Sequence, residues 1–237
     1  MRPAPRSSEQ TEMDAAATFR SAVNDLEAGL DQQREARPEI AFEKQPPPRK
    51  LAPYAAAIGA TVHEPGAGRR SGTGPGREFS DDDVDSEIGW GSFVLLYDPA
   101  GQTGWAGPFR MIAYVRADLE EEIAADPLIG QVGWSWLTEA LDARTTGYRQ
   151  TSGTVTRVVT EGFGAKEDQP VATGFELRAS WSPAAPGAGI PAAGHRAPPD
   201  LDGHVAAWCD ALCAAAGLPP LPAGVSALRP PRARRRP

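Results

Sequence analysis

The run from Ile88 to Asp98 constrains this chain more than any other stretch. Trp90, Val94 and Leu96 alternate with Phe93, Leu95 and Tyr97, so the extended segment is apolar on both faces. A strand of that kind belongs in the centre of a sheet with both faces covered. Asp98-Pro99-Ala100-Gly101 is turn chemistry, and Phe109 to Arg116 runs back, giving a hairpin with an extended, Gly-rich tip. The rest of the chain has to supply the neighbours of this pair and the layers that cover it.

Helical periodicity predicts those layers. Phe19, Val23, Leu26 and Leu30 form one stripe of a helix from Asp14 to Gln33. Asp126-Pro127 supplies an N-cap and a first-turn proline for a helix that carries Ile129, Val132, Trp136, Leu137, Ala140 and Leu141 and ends near Ala143. Leu201 to Ala216 carries Val205, Trp208, Cys209 and Leu212 on one face. Gly217 closes it, and Pro219 and Pro220 prevent a restart. Asp118 with Glu121 predicts a short helix start, and the Ala-rich stretch from Leu51 to Ala60 predicts another helix. Alternation predicts strands from Glu39 to Lys44, Gly153 to Thr160 and Ala172 to Trp181. In the last of these Phe175, Leu177, Ala179 and Trp181 point in, while Glu176, Arg178 and Ser180 point out. The expected fold is α+β, an antiparallel five-stranded sheet with helices packed on it, in the order α-β-(α)-β-β-α-β-β-α. That order resembles type III secretion chaperone-like folds.

Composition sets the boundaries. The 24 prolines and 25 glycines cluster, which marks linkers because Pro fixes φ and Gly loses the most backbone entropy on ordering. The expected layout is a disordered tail over 1–12, a single α+β domain over 13–220 with flexible loops at 65–80 and 183–199, and a disordered Arg-rich tail over 221–237. The net charge is −7, yet Arg229, Arg232, Arg234, Arg235 and Arg236 sit in the last residues with no acid beside them, which leaves −12 on the remainder. An acidic body repels nucleic acid, so only the tail could make that contact, non-specifically. Only Lys44, Lys50 and Lys166 among the 24 basic residues are lysine. With the abundant Ala, Gly and Pro, this reads as the coding bias of a GC-rich genome. The longest run of large apolar residues, Phe93 to Tyr97, is far short of the ~20 needed to cross a bilayer. Met1 to Met13 lacks the apolar segment of a signal peptide. The expectation is a cytoplasmic chain with no membrane partner.

Several strings occur in order along the chain: Gly91 to Pro99 (GSFVLLYDP), Ala113 to Ala117 (AYVRA), Gly133 to Leu137 (GWSWL), Gly153 to Thr156, Arg178 to Trp181, and Ala216 to Pro220. Together they resemble the actinobacterial domain-of-unknown-function family numbered three thousand. The resemblance spans about Phe19 to Pro220 and implies no activity, since that family has none assigned.

Candidate chemistry is sparse. Cys209 and Cys213 share a helix face, but His204 lies about 140° round from Cys209, and no further ligand pair exists for a zinc site. They read as core cysteines. Asp81, Asp82, Asp83 and Asp85 begin like a calcium loop, yet Ser86 and Ser92 stand where Gly and Glu are needed. The glycines from Gly66 to Gly76 match neither a dinucleotide nor a phosphate loop. Ser135 sits mid-helix with Leu137 where a nucleophile elbow wants glycine. His63 and His195 have no obvious acid partner. No cofactor and no catalytic set is therefore expected, and the reading leans away from an enzyme.

Six tryptophans remain to be explained. Trp90, Trp136, Trp181 and Trp208 fall on apolar faces and read as core. Trp105 sits at the hairpin tip beyond any core pattern. Trp134 points about 200° away from Trp136. Arg110 and Arg178 point outward from strands that could be neighbours. Exposed Trp beside Arg is a hot-spot composition, so Trp105, Arg110, Trp134 and Arg178 form the candidate contact surface of a non-catalytic protein-interaction or regulatory module with an unknown protein partner. Two other classes stay open: a small-ligand-binding protein or enzyme with a site between sheet and helices, and weak nucleic-acid association through the arginine tail.

Overall fold

A computed structural model describes residues 8–65, 87–184 and 201–218. The expected tails over 1–7 and 221–237, most of the loops over 65–80 and 183–199, the acidic run and His195 lie outside the described residues. The elements are α1 (Ser8–Ala36), β1 (Ile40–Gln45), β2 (Tyr54–His63), β3 (Glu87–Tyr97), β4 (Phe109–Asp118), α2 (Glu121–Ala125), α3 (Ile129–Arg144), β5 (Tyr148–Thr160), β6 (Ala172–Pro183) and α4 (Asp202–Ala215). The fold is α+β. The sheet is antiparallel throughout, in the order β1-β2-β3-β4-β6-β5.

The sheet has six strands rather than five, because the Ala-rich stretch expected as a helix is β2. Alanine favours helix only where packing does not decide. Here Tyr54, Ala56, Ile58, Ala60 and Val62 pair with Tyr97, Leu95, Phe93, Gly91 and Gly89 along the whole of β3. The element order behind the chaperone-like resemblance is thus not the one the chain adopts. Two end assignments also shift. α1 begins at Ser8, inside the stretch expected as a tail. Neither α2 nor α3 has a side-chain cap, and Asp126 instead accepts a hydrogen bond from the Leu128 amide at 2.8 Å, one turn ahead of α3.

All the long helices lie on one face. α4 occupies the middle of that layer, flanked by α1 and α3 and resting on β3 and β4. It is buried nearly all round, from His204 through Ala215 with only Asp210 and Ala214 partly exposed, as a helix enclosed in a core must be. Trp208 lies over Gly91. A Cβ there would sit 3.1 Å from the indole and 3.0 Å from the Tyr114 carbonyl, and the indole N–H donates to that same carbonyl at 3.3 Å. Phe93 and Phe42 pack on the ring at centroid distances of 5.4 and 6.3 Å. Gly217, at φ +74°, ends the helix, with the Leu218 amide donating to Cys213 and the Gly217 amide to Ala214, the paired bonds of a Schellman cap.

The other face of β3 carries Trp90, Ser92 and Val94, half-buried, and Leu96, buried. The expectation that both faces are covered holds at Leu96 and is corrected for the rest of this side. Among the described residues no helix lies on it, and its apolar side chains pack against their neighbours Ala57, Ile112 and Tyr114 in register. Trp90 and Trp136, expected in the core, are likewise only half-buried.

α3 meets the sheet through Gly133, where a Cβ would lie 2.2 Å from the Phe175 ring. Overpacking of that kind costs about 1–3 kcal/mol, against the ~1 kcal/mol that Ala gains over Gly in a helix. Gly133→Ala is therefore expected to lower the urea midpoint, and adding Phe175→Leu to restore part of it. An unchanged midpoint in Gly133→Ala would contradict this packing.

Candidate interaction surface

The four residues singled out by sequence divide between two faces of the sheet. Arg110 and Arg178 share the face without helices, on the neighbouring strands β4 and β6. Trp134 lies on the opposite side, where its ring covers Gly153 of β5 so closely that a Cβ there would stand 2.5 Å from it. It cannot act in concert with Arg178, because the sheet separates them.

Arg110 is not an outward-facing cation. It is 8% exposed, donating at 2.9 Å to the Gln150 carbonyl, at 2.7 Å to Ser180 Oγ and at 3.3 Å to the Ser180 carbonyl. Burial lowers its pKa from the ordinary guanidinium value. Gln150 sits at φ +54° in a bulge between Arg149 and Ser152. A bulge turns a carbonyl off the ladder, and here that carbonyl meets the guanidinium. Arg110 therefore ties β4 to β6 and β5.

Arg178 does face solvent, with its side chain 66% exposed and 3.0 Å from Glu176. Its guanidinium lies 5.4 Å from the centre of the Tyr114 ring, a cation–π distance. Trp90 meets Tyr114 edge-on at 5.4 Å. Burial, followed by Glu176, raises the Tyr114 pKa, so the phenol stays neutral and donates. Trp90, Tyr114, Ile112 and Val94 thus form an aromatic and aliphatic strip with Arg178 at its margin, running over β3 and β4.

The β3–β4 loop closes one end of this face. Asp98 accepts from Ala100 and Gln102 at 3.0 Å each, Gln102 also donates to the Leu51 carbonyl, and the Ala106 amide donates to Ser182 Oγ at 3.1 Å. Half-buried Trp105 lines a shallow cleft of about 410 Å³ with Pro99, Gln102 and Pro108 of its own loop. The family model described as a protein of unknown function (DUF3000) matches residues 15–226.

The chain belongs to the DUF3000 family. No curated protein and no solved structure matches it.

The remaining chemistry of this DUF3000 chain is inside the helical layer. His204 is buried, and its Nδ1 accepts the Trp181 indole N–H at 3.1 Å. Burial pushes the Cys213 thiol up to about 12 and the Cys209 thiol well above its ordinary value, so neither is a thiolate near neutrality. Ser135 Oγ donates to the Val132 carbonyl at 3.0 Å within its own helix. No group of three or more His, Cys, Asp or Glu side chains gathers to hold a metal ion among the described residues. No described helix is long and apolar enough to cross a membrane.

Sequence reasoning missed an ion-pair knot around Asp210 on α4. Asp210 meets Arg37 at 3.0 Å and Arg144 at 2.8 Å, and Arg37 also reaches Glu39 at 3.4 Å. Burial pulls the Arg37 pKa down, but the neighbouring Cys213, followed by Asp210 and Glu39, outweighs that and holds it raised. No local pattern joins residues 37, 144 and 210.

Two outcomes follow. A thiol-specific disulfide reagent is expected to leave both cysteines of the native chain unmodified and to titrate two thiols per chain in denaturant; fast native labelling would contradict their burial. Asp210→Ala removes the nearer of the two acids on the buried Arg37 guanidinium and leaves it Glu39 at 3.4 Å; it is expected to cost on the order of 3 kcal/mol. Lys44→Ala, which breaks the exposed Lys44–Glu27 pair, should cost less than ~1 kcal/mol. Equal losses in denaturant melts would rule out the knot's role.

Proposed function

We propose that this chain is a protein-interaction module whose contact surface is the helix-free face of the sheet. The observation that supports this most is the strip Trp90, Val94, Ile112 and Tyr114, left half-buried beside the exposed Arg178. Aromatic rings next to an available guanidinium make a contact centre of high energy per residue. The partner is one that offers apolar side chains together with a carboxylate able to take Arg178 from Glu176. Trp105, on the β3–β4 loop, is a secondary contact, while Arg110 holds the strands beneath the strip and contributes through them.

Affinity capture with tagged full-length chains tests this reading. Wild type is compared with Val94→Asp, Arg178→Glu and Trp105→Ala, and with Met13→Ala on the exposed side of α1 as a control. The expected result is a partner recovered by wild type and control and reduced at least about tenfold, ~1.4 kcal/mol, by Val94→Asp and Arg178→Glu, with a smaller loss for Trp105→Ala. Equal recovery by all variants places the contact elsewhere and sinks the reading.

A further inference from the structure

Six of the eight large apolar side chains that stand exposed among the described residues gather at one end of the fold. They are Ile123 of α2, Leu128 and Val132 at the start of α3, and Val159, Phe163 and Val171 of the β5–β6 hairpin. Hydrogen bonds hold these pieces together. The Arg157 guanidinium donates to the Ala124 and Asp126 carbonyls at 3.4 Å, and the Leu119 amide donates to the Thr173 carbonyl at 3.0 Å. Val159 pairs with Thr173 and lies on the same side of β5 as Arg157. Phe163 is 79% exposed, yet its loop is a bonded turn. The Lys166 amide donates to the Phe163 carbonyl, the Glu167 amide to that of Gly164, and Gly164 sits at φ +64°. A ring held out by a fixed turn can bind without first losing loop freedom. The surface is also acidic. Asp118, Glu120, Glu121, Glu122 and Asp126 are exposed with no base between 118 and 126, and Glu161, Glu167 and Asp168 stand exposed on the hairpin loop beside Lys166. Such a surface repels nucleic acid and anionic lipid and suits an occupant that is both apolar and cationic.

We propose that this surface is the docking site of the chain's own C-terminal segment, which follows Leu218 and lies outside the described residues. Three observations favour that occupant. Its composition is complementary: Leu221, Val225 and Leu228 are followed by Arg229, Arg232, Arg234, Arg235 and Arg236 with no acid among them. It departs from the right place. Ala216, at the end of α4, packs over Gly89, where a Cβ would lie 3.2 Å from its side chain. Gly89 is in register with Ala117, Phe175 and Arg157 across β3, β4, β6 and β5. Three strand spacings of ~4.8 Å make about 14 Å, while a chain from Leu218 to Leu228 spans up to ~33 Å at ~3.3 Å per residue. Finally, the DUF3000 match continues to residue 226, so the apolar part of the segment belongs to the unit that defines the family. Docked in cis, the apolar residues cover Phe163, Val159 and Ile123, and the arginines lie over the acids of α2 and the hairpin, which withholds them from other anions. This contact is independent of the helix-free strip proposed above.

Paramagnetic labelling of the full chain, read by nuclear magnetic resonance, tests it. Both native cysteines are buried, so a nitroxide attached through Ser226→Cys marks one place. The amide signals of Ile123, Phe163 and Val171 are expected to be lost and to return when the nitroxide is reduced, while those of Ala100 and Gln102, at the far end of the sheet, persist throughout. Arg234→Glu, Arg235→Glu and Arg236→Glu together are expected to bring the lost signals back, and adding Glu121→Lys, Glu122→Lys and Glu161→Lys to abolish them again. Signals at Ile123, Phe163 and Val171 that persist beside the intact label overturn the proposal. Loss that reaches Ala100 and Gln102 equally, or that survives the arginine substitutions, overturns it too. The same loss in an unlabelled, isotope-enriched chain mixed with labelled chains makes the contact one between molecules and contradicts docking in cis.

Discussion

The seat of Trp208 on Gly91 is the contact on which the rest of the molecule depends. An indole lying flat on a strand needs a position with no Cβ beneath it, and β3 supplies one where the Tyr114 carbonyl can also take the indole N–H. That contact fixes the depth of α4 against the sheet. With α4 in place, its remaining sides have to be covered, because Ala207, Cys209, Leu212 and Cys213 point in several directions and are all buried. α1 and α3 do this, one on each flank. Burying side chains of this size stabilises by about 1.5–3 kcal/mol each, so an α4 lifted off the sheet would cost more than a domain's net stability.

Among the described residues every buried side-chain polar atom has a partner, and several of these bonds link separate elements. Asp210 joins α4 to Arg37 after α1 and to Arg144 at the end of α3. His204 takes the Trp181 indole from β6. Arg110 spends its donors on backbone and hydroxyl oxygens of β5 and β6. Such bonds contribute little net stability when made, yet breaking one partner is expensive. They therefore fix the relative placement of helices and strands more than they hold the chain folded. All lie off the helix-free strip, whose side chains are free to meet something else.

Much of this architecture was legible in the sequence. β3 and its hairpin, the amphipathic α3 and the closing Gly217 each follow from local patterns that packing did not override. β2 was not legible, because an alanine run carries helical propensity and only the partner strand β3 makes it extended. Nor was the single-sided layer: apolar residues on both faces of a strand do not say whether a helix or neighbouring side chains cover the second face. Arg110 misled for a related reason. Alternation placed it on the correct face, but the bulge at Gln150 that buries it arises from β5, far along the chain. The swap that puts β6 beside β4 and leaves β5 at the edge rests on pairing between distant segments, so the edge position of β5 emerges only in three dimensions.

The central claim is that helices, led by α4, close one face of the sheet and that among the described residues no helix lies on the other. Hydroxyl-radical footprinting of the native chain, read residue by residue by mass spectrometry, measures this directly. Trp208 and Trp181 are expected to resist oxidation until the chain unfolds, while Trp90 and Tyr114 oxidise in the native state. Equal protection of all four would mean the second face is covered as well, and native oxidation of Trp208 would mean that α4 is not seated on Gly91 at all.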